Sequence, residues 1–227
     1  MEQKKKSIFQ DIKNILSDKK ILNLFISSTA CLSITCILFC FFLQNEKVDD
    51  RNFLVSFTVN CCTLILSTSF PLALSGFIKR NNYFENSGEE NAKKFFLRKI
   101  FCVFIISLGF AWLGVLLNTI IQLIILKIYF YAENVFYFLL VLPVWLFFVS
   151  CFAIKIYHSF KNTKNADRVS TFFPLALFWI FQLLFILGLN FFSYKFFMVP
   201  FLVGIFGSVI LLYFSNKKFN IEKNLYD

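Results

Sequence analysis

Asn118 and Gln122 stand four residues apart, on one face of a helix, inside an otherwise apolar run. Asn60, Gln182 and Asn190 are likewise set deep in long apolar stretches. Amide side chains donate and accept hydrogen bonds but do not titrate. The chemistry they offer is bonding between helices, or a polar lining along a path, and not acid–base catalysis. Lys127 and Glu133 lie only at the rim of such stretches. Ion-coupled transporters place a carboxylate, Lys or His at membrane depth. Coupling to a proton or sodium gradient is therefore not expected.

Residue types that carry catalysis are equally sparse. His158 is the only histidine, and it falls in a polar connecting piece. A Ser–His pair or a His-ligated metal would need histidine within an apolar run, or more than one. Gly204-Ile205-Phe206-Gly207-Ser208 has its serine outside the two glycines and so is not a nucleophile elbow. Glu89-Glu90 could begin a carboxylate-pair protease motif, but the histidines that would work with it are missing. Gly109 and Gly114 have the spacing of a phosphate loop, yet Val115 stands where lysine is needed. The chain is expected to be no enzyme and to bind no metal or nucleotide itself. Cys31, Cys36, Cys40, Cys61, Cys62, Cys102 and Cys151 all fall inside or at the start of apolar runs. Buried cysteine behaves as a small apolar residue, so free thiols are expected.

Six apolar runs must hold these residues: 21–43, 53–78, 100–126, 135–154, 172–192 and 196–214. Each reaches the roughly 20 residues that a spanning helix needs. With 58% hydrophobic residues, the 227-residue chain has little left for a soluble domain. Outside the runs, every Lys and Arg except Lys47, Arg51, Lys127 and Lys195 lies in the first, third, fifth or seventh connecting piece. Positive residues stay on the cytoplasmic side, so the alternation predicts a six-span, all-α protein of the cell membrane with both termini inside. The net charge of +10 is spread over those four pieces. The orientation rule and anionic lipid headgroups account for it without nucleic acid. Abundant Phe, Ile, Lys and Asn fit an AT-rich genome, such as that of a low-GC (Gram-positive) bacterium.

The connecting pieces have structure of their own. Ile8, Phe9, Ile12, Ile15 and Leu16 recur on one face, with Lys13, Asn14, Ser17, Asp18 and Lys19 opposite. This predicts an amphipathic helix within residues 1–20, leading into a membrane domain over 21–214 and a frayed polar tail over 215–227. The piece 79–99 opens with Glu85, Glu89 and Glu90 and closes with Lys93, Lys94, Arg98 and Lys99. That order complements a helix dipole, and Glu89–Lys93 and Glu90–Lys94 are favourable i,i+4 pairs. Ala92, Phe95 and Phe96 give this short helix an apolar edge, to pack on its own chain, on lipid or on a partner. Only a tight turn near Ser193-Tyr194-Lys195 joins the last two runs. Pro71 and Pro143 lie far enough inside their runs to kink them. No internal repeat supports an inverted-repeat transporter.

This order of features resembles the six-span permease subunits of ATP-binding-cassette exporters of the second type. Ile12-Lys13-Asn14-Ile15-Leu16-Ser17-Asp18-Lys19-Lys20 is similar to their entry segment. Ser75-Gly76-Phe77-Ile78-Lys79-Arg80, followed by Glu85 to Lys99, is similar to the segment after their second span. The acidic-basic-acidic triplet with Gly-Thr that is usual in that segment is absent. The resemblance implies a coupling helix carrying Glu89, Glu90, Lys93, Lys94, Phe95, Phe96 and Arg98, which docks on a separate ATPase subunit holding ATP and Mg. It also implies a second permease subunit, identical or different. The cargo it implies is an amphipathic or hydrophobic peptide, such as a toxin or antimicrobial peptide. Asn60, Asn118, Gln122, Gln182 and Asn190 would line the path or join helices. The reading of a different class is a six-span accessory or immunity protein that binds a partner in the bilayer and transports nothing. A vitamin-binding importer subunit would need a ligand pocket that no motif marks.

Overall fold

The computed structural model describes residues 8–43, 48–81, 92–127, 135–160, 163–186 and 198–224, and every regular element among them is helical. Helix α1 covers Ile8–Leu16, α2 Lys19–Leu43, α3 Val48–Arg80 and α4 Ala92–Leu126. A π-helical turn, Tyr137–Val141, opens directly into α5, Leu142–Ser159, and α6 (Thr163–Ile186) and α7 (Met198–Asn224) follow. Among the described residues, five helices are long and apolar enough to cross a membrane: Lys19–Phe42, Asn60–Arg80, Lys93–Leu126, Tyr137–Ser159 and Met198–Ser215. The fifth run expected from the sequence, 172–192, lies only partly within the described residues.

Helix α1 ends and α2 begins within two residues. The Asp18 carboxylate accepts from the Lys20 backbone N–H at 2.7 Å, and its carbonyl accepts the first bond of α2, from Leu22. Asp18 is thus the N-cap that fixes the direction of α2. Ile8–Leu16 is helical as its periodicity predicts, but its inward side is not purely apolar. Asp11 and Ile15 are buried, whereas Phe9 points outward.

Helix α3 is central, packing against α2, α4, α5 and α6. Three hydrogen bonds set its register against the π turn and α5. The Tyr137 hydroxyl donates to the Asn60 carbonyl at 2.9 Å, Trp145 Nε1–H donates to Thr68 Oγ1 at 2.8 Å, and Lys79 Nζ donates to the Tyr157 carbonyl. The partners are 77, 77 and 78 residues apart. A constant separation means that the two helices run parallel. Against α4 the order reverses: Thr63 meets Asn118, and Phe70 stacks on Phe110 at 4.3 Å, with Phe25 of α2 edge-on to both rings. Helix α7 lies along α5 with its small residues inward. A Cβ at Gly204 would meet Val144 at 2.8 Å, and one at Gly207 would meet Phe148 at 2.5 Å. That order again makes the pair parallel.

The π turn has a local cause. Pro143 occupies the first turn of α5. Within a regular α-helix its ring would crowd the carbonyl four residues back. The wide turn, closed by the Leu142 N–H bonding to the Tyr137 carbonyl, relieves that conflict. Pro71, in contrast, sits inside α3 with the helix unbroken from Val48 to Arg80.

Two elements differ from expectation. Residues 92–99 form no separate short helix; they are the opening turns of α4, continuous with the run that follows. The 35 residues of α4 make a rod about 52 Å long, so it extends well past a hydrocarbon core of about 30 Å. Helix α7 likewise continues to Asn224, through most of the tail expected to fray.

Candidate functional site

Among the described residues, most charged side chains lie at one end of the helix bundle, called here the basic end. Arg98, at the foot of α4, donates through Nε to Asp11 of α1 at 2.5 Å. Their side chains are only 11% and 5% exposed. A pair this enclosed is held by shape as well as charge, because neither partner keeps much water if the other leaves. One turn up, the Cys102 thiol lies 4.0 Å from the Ile8 carbonyl, so α1 is held against α4 at two levels.

Residues assigned to the coupling segment have different fates. Lys93 and Lys94 are exposed. Phe95 is half-buried, with Lys99 Nζ 4.2 Å from its ring centroid. Phe96 is buried and meets His158 of α5 edge-on, at 6.1 Å between rings. Arg98 faces Asp11 of its own chain. Glu89 and Glu90 lie outside the described residues. The apolar edge of this segment is thus partly used up inside the chain.

A second cluster ties three helix ends together. Lys79, near the end of α3, donates to the carbonyls of Tyr157 and Phe160, the latter at 2.8 Å. These carbonyls belong to the last turn and cap of α5, where helical partners run out and a cation is favoured. Arg80 reaches Asp167 of α6 at 3.2 Å. The Tyr157 hydroxyl donates to the same carboxylate at 2.7 Å and lies 3.1 Å from Ser170 Oγ. Gly76 makes this close approach feasible, since a Cβ there would stand 2.6 Å from the Tyr157 hydroxyl oxygen.

Away from the basic end the polar groups are uncharged. Asn118 Nδ2 lies 3.4 Å from Thr63 Oγ1, and its backbone carbonyl accepts from the Cys36 thiol at 3.6 Å. Gln122, one turn on, is buried. Asn60 serves through its carbonyl, bonded by Tyr137. Asn60, Asn118 and Gln122 are therefore gathered where α2, α3, α4 and the π turn meet. The Gln182 side chain and Asn190 lie outside what is described. All seven cysteines are free thiols. Among the described residues no group of three or more His, Cys, Asp and Glu is placed to hold a metal ion.

Residue types alone did not single out Asp11, Lys79, Arg80, Tyr157 or Asp167. Two of them carried a signal. Asp11 borders the apolar face of α1, next to Ile15, and Asp167 is the one acid among the basic residues of its connecting piece. A carboxylate in either setting needs a cationic partner. The comparisons add no outside reference: no family model, curated protein or solved structure matches this chain.

Proposed function

We propose that the chain is a six-span, non-catalytic permease subunit of an ATP-driven exporter in the plasma membrane. The basic end is cytoplasmic in this reading, together with both termini. A sixth crossing is supported by the parallel packing of α5 and α7. Two helices that enter from the same side need the chain between them to return across the bilayer. Orientation is supported by the Lys and Arg residues gathered at one end.

The observation that carries the transport reading is the rod-like foot of α4. Lys93 and Lys94 are exposed on the same unbroken helix that bears Asn118 and Gln122. A push delivered there by a separate ATPase subunit would travel up α4, and Arg98 would carry α1 with it. Such a subunit would hold the ATP and Mg. Two permease subunits, identical or different, would enclose the path. The cargo best suited to an interior of amides, hydroxyls and aromatic rings is an amphipathic or hydrophobic peptide.

One observation favours the non-transporting reading, an accessory or immunity protein. Phe96 is buried on its own chain against His158, which leaves the segment fewer apolar anchors for a partner. The two readings separate in one experiment. The chain is purified in mild detergent after co-expression with proteins encoded beside it, and co-purifying ATPase activity is measured. A double substitution, Lys93→Glu with Lys94→Glu, probes the foot of α4 without disturbing buried groups. An ATPase that co-purifies and is lost in the double variant supports the exporter. A folded chain with no ATPase in the complex favours the accessory protein.

A further inference from the structure

Most described hydroxyls in the long helices are satisfied by their own helix. Thr68 bonds back to Leu64, Ser150 to Leu146, Ser208 to Gly204 and Ser215 to Leu211, all at 2.6–2.7 Å. Ser67 and Ser75 of α3 and Ser107 of α4 make no such bond. Their hydroxyl oxygens are fully enclosed and have no partner, and the same is true of Asn118 Oδ1. These four residues are at most 2% exposed.

They are not scattered. At about 100° per residue, Asn60, Thr63, Ser67, Thr68, Pro71 and Ser75 fall within a single arc of α3 of about 140°. The stripe runs about 22 Å along the helix. The antiparallel register set by Thr63–Asn118 and Phe70–Phe110 brings Ser107 level with Ala73 and Leu74, next to Ser75 in sequence. Pro71 adds another unsatisfied group. It has no N–H to give the carbonyl four residues back, which is that of Ser67. Ser67 thus has a hydroxyl without a partner and a carbonyl without its ladder donor, midway along the stripe.

Left dry, each orphan costs about 1–3 kcal/mol. Four on one seam would together rival the whole net stability of a domain, about 5–15 kcal/mol. Buried polar groups at membrane depth are tolerated where neighbours or ordered water satisfy them. We infer that the seam where α3 meets α4 and α5 is a binding path for water: small neutral molecules serve Ser67 and its carbonyl, Ser75, Ser107 and the Asn118 side-chain oxygen. The path lies inside one chain. It needs no second copy, and it stands whether or not an ATPase drives the protein.

Radiolytic hydroxyl-radical footprinting of the unaltered chain in lipid nanodiscs, in ¹⁸O-labelled water, tests this directly. Leu74 and Leu32 have the same side chain and are 0% and 1% exposed, but only Leu74 lies beside Ser75 and level with Ser107. Leu74 is expected to take up several-fold more label than Leu32; equal, background labelling of the two overturns the inference. Ser75→Ala and Ser107→Ala give a second reading by thermal unfolding. Removing a dry orphan raises the midpoint, whereas removing a hydrated hydroxyl leaves it unchanged or lowers it. A rise in both variants overturns the inference as well.

Discussion

Asp11 and Arg98 are 87 residues apart in sequence and 2.5 Å apart in space, and they make the N-terminal helix and the foot of α4 one mechanical unit. Breaking an enclosed pair from one side leaves a buried charge, which costs about 3–5 kcal/mol. Arg98→Met is therefore expected to lower the unfolding midpoint strongly and to free α1 for proteolysis. Asp11→Leu combined with Arg98→Met removes both charges and is expected to recover most of the loss. Thermal unfolding and limited proteolysis of the unaltered chain and the two variants check this. If the double variant is as unstable as Arg98→Met, packing and not charge holds α1.

The cluster at the end of α3 predicts a ranking of two adjacent cations. Arg80 and Asp167 keep 52% and 37% of their side-chain surface exposed, so water and salt screen them and the pair is worth about 0–1 kcal/mol. Lys79 instead serves two carbonyls at the end of α5. Arg80→Ala is expected to be nearly silent, with any effect lost in high salt. Lys79→Met is expected to cost more than Arg80→Ala at every salt concentration, because the carbonyls lose their donor. Unfolding midpoints measured at low and high ionic strength decide the order.

Gly76 is predicted to tolerate no side chain. Its missing Cβ is filled by the Tyr157 ring, with the hydroxyl oxygen at 2.6 Å and Cζ at 2.8 Å from where the Cβ would stand. Overpacking of this kind costs about 1–3 kcal/mol. Gly76→Ala should destabilise the protein by that order, and Tyr157→Phe added to it should restore only part, since Cζ remains in the way. Full rescue in a double-mutant cycle would show that the hydroxyl alone sets the limit.

How far these sites were legible in the residues varies with how local their causes are. The helix Ile8–Leu16 follows from the spacing of its apolar residues, whereas Asp18, which the spacing puts on the polar face, is seen as an N-cap only once α1 ends before it. The partner of Asp11 does not follow from local pattern. It depends on how α1 lies across a helix 87 residues away. Pro143 announces a disturbed helix, but the bonds that Tyr137 and Trp145 make on α3 do not follow from local pattern, because each partner lies 77 residues away. The apolar edge of Phe95 and Phe96 was readable, while its use by His158 was not, because that contact joins two separate runs. Asn60, Asn118 and Gln122 stood out as amides in apolar surroundings. The serines beside them did not, since a serine in a membrane helix normally bonds its own backbone.

Lys127 closes α4 in a strained conformation. Its N–H bonds the Leu123 carbonyl at 3.1 Å, and its φ is 54°. This is the left-handed cap at which helices commonly end with glycine, because a Cβ there crowds the backbone. For a residue such as lysine the conformation costs about 1–2 kcal/mol. Glycine has no such crowding, although it gives up more chain freedom on folding. Lys127→Gly is accordingly expected to stabilise the protein by about 0.5–1 kcal/mol, seen as a higher unfolding midpoint in detergent. Lys127→Val, with a β-branched side chain at positive φ, is expected to lower it. A drop with glycine would mean that the lysine side chain itself contributes at this helix end, by more than the strain it causes.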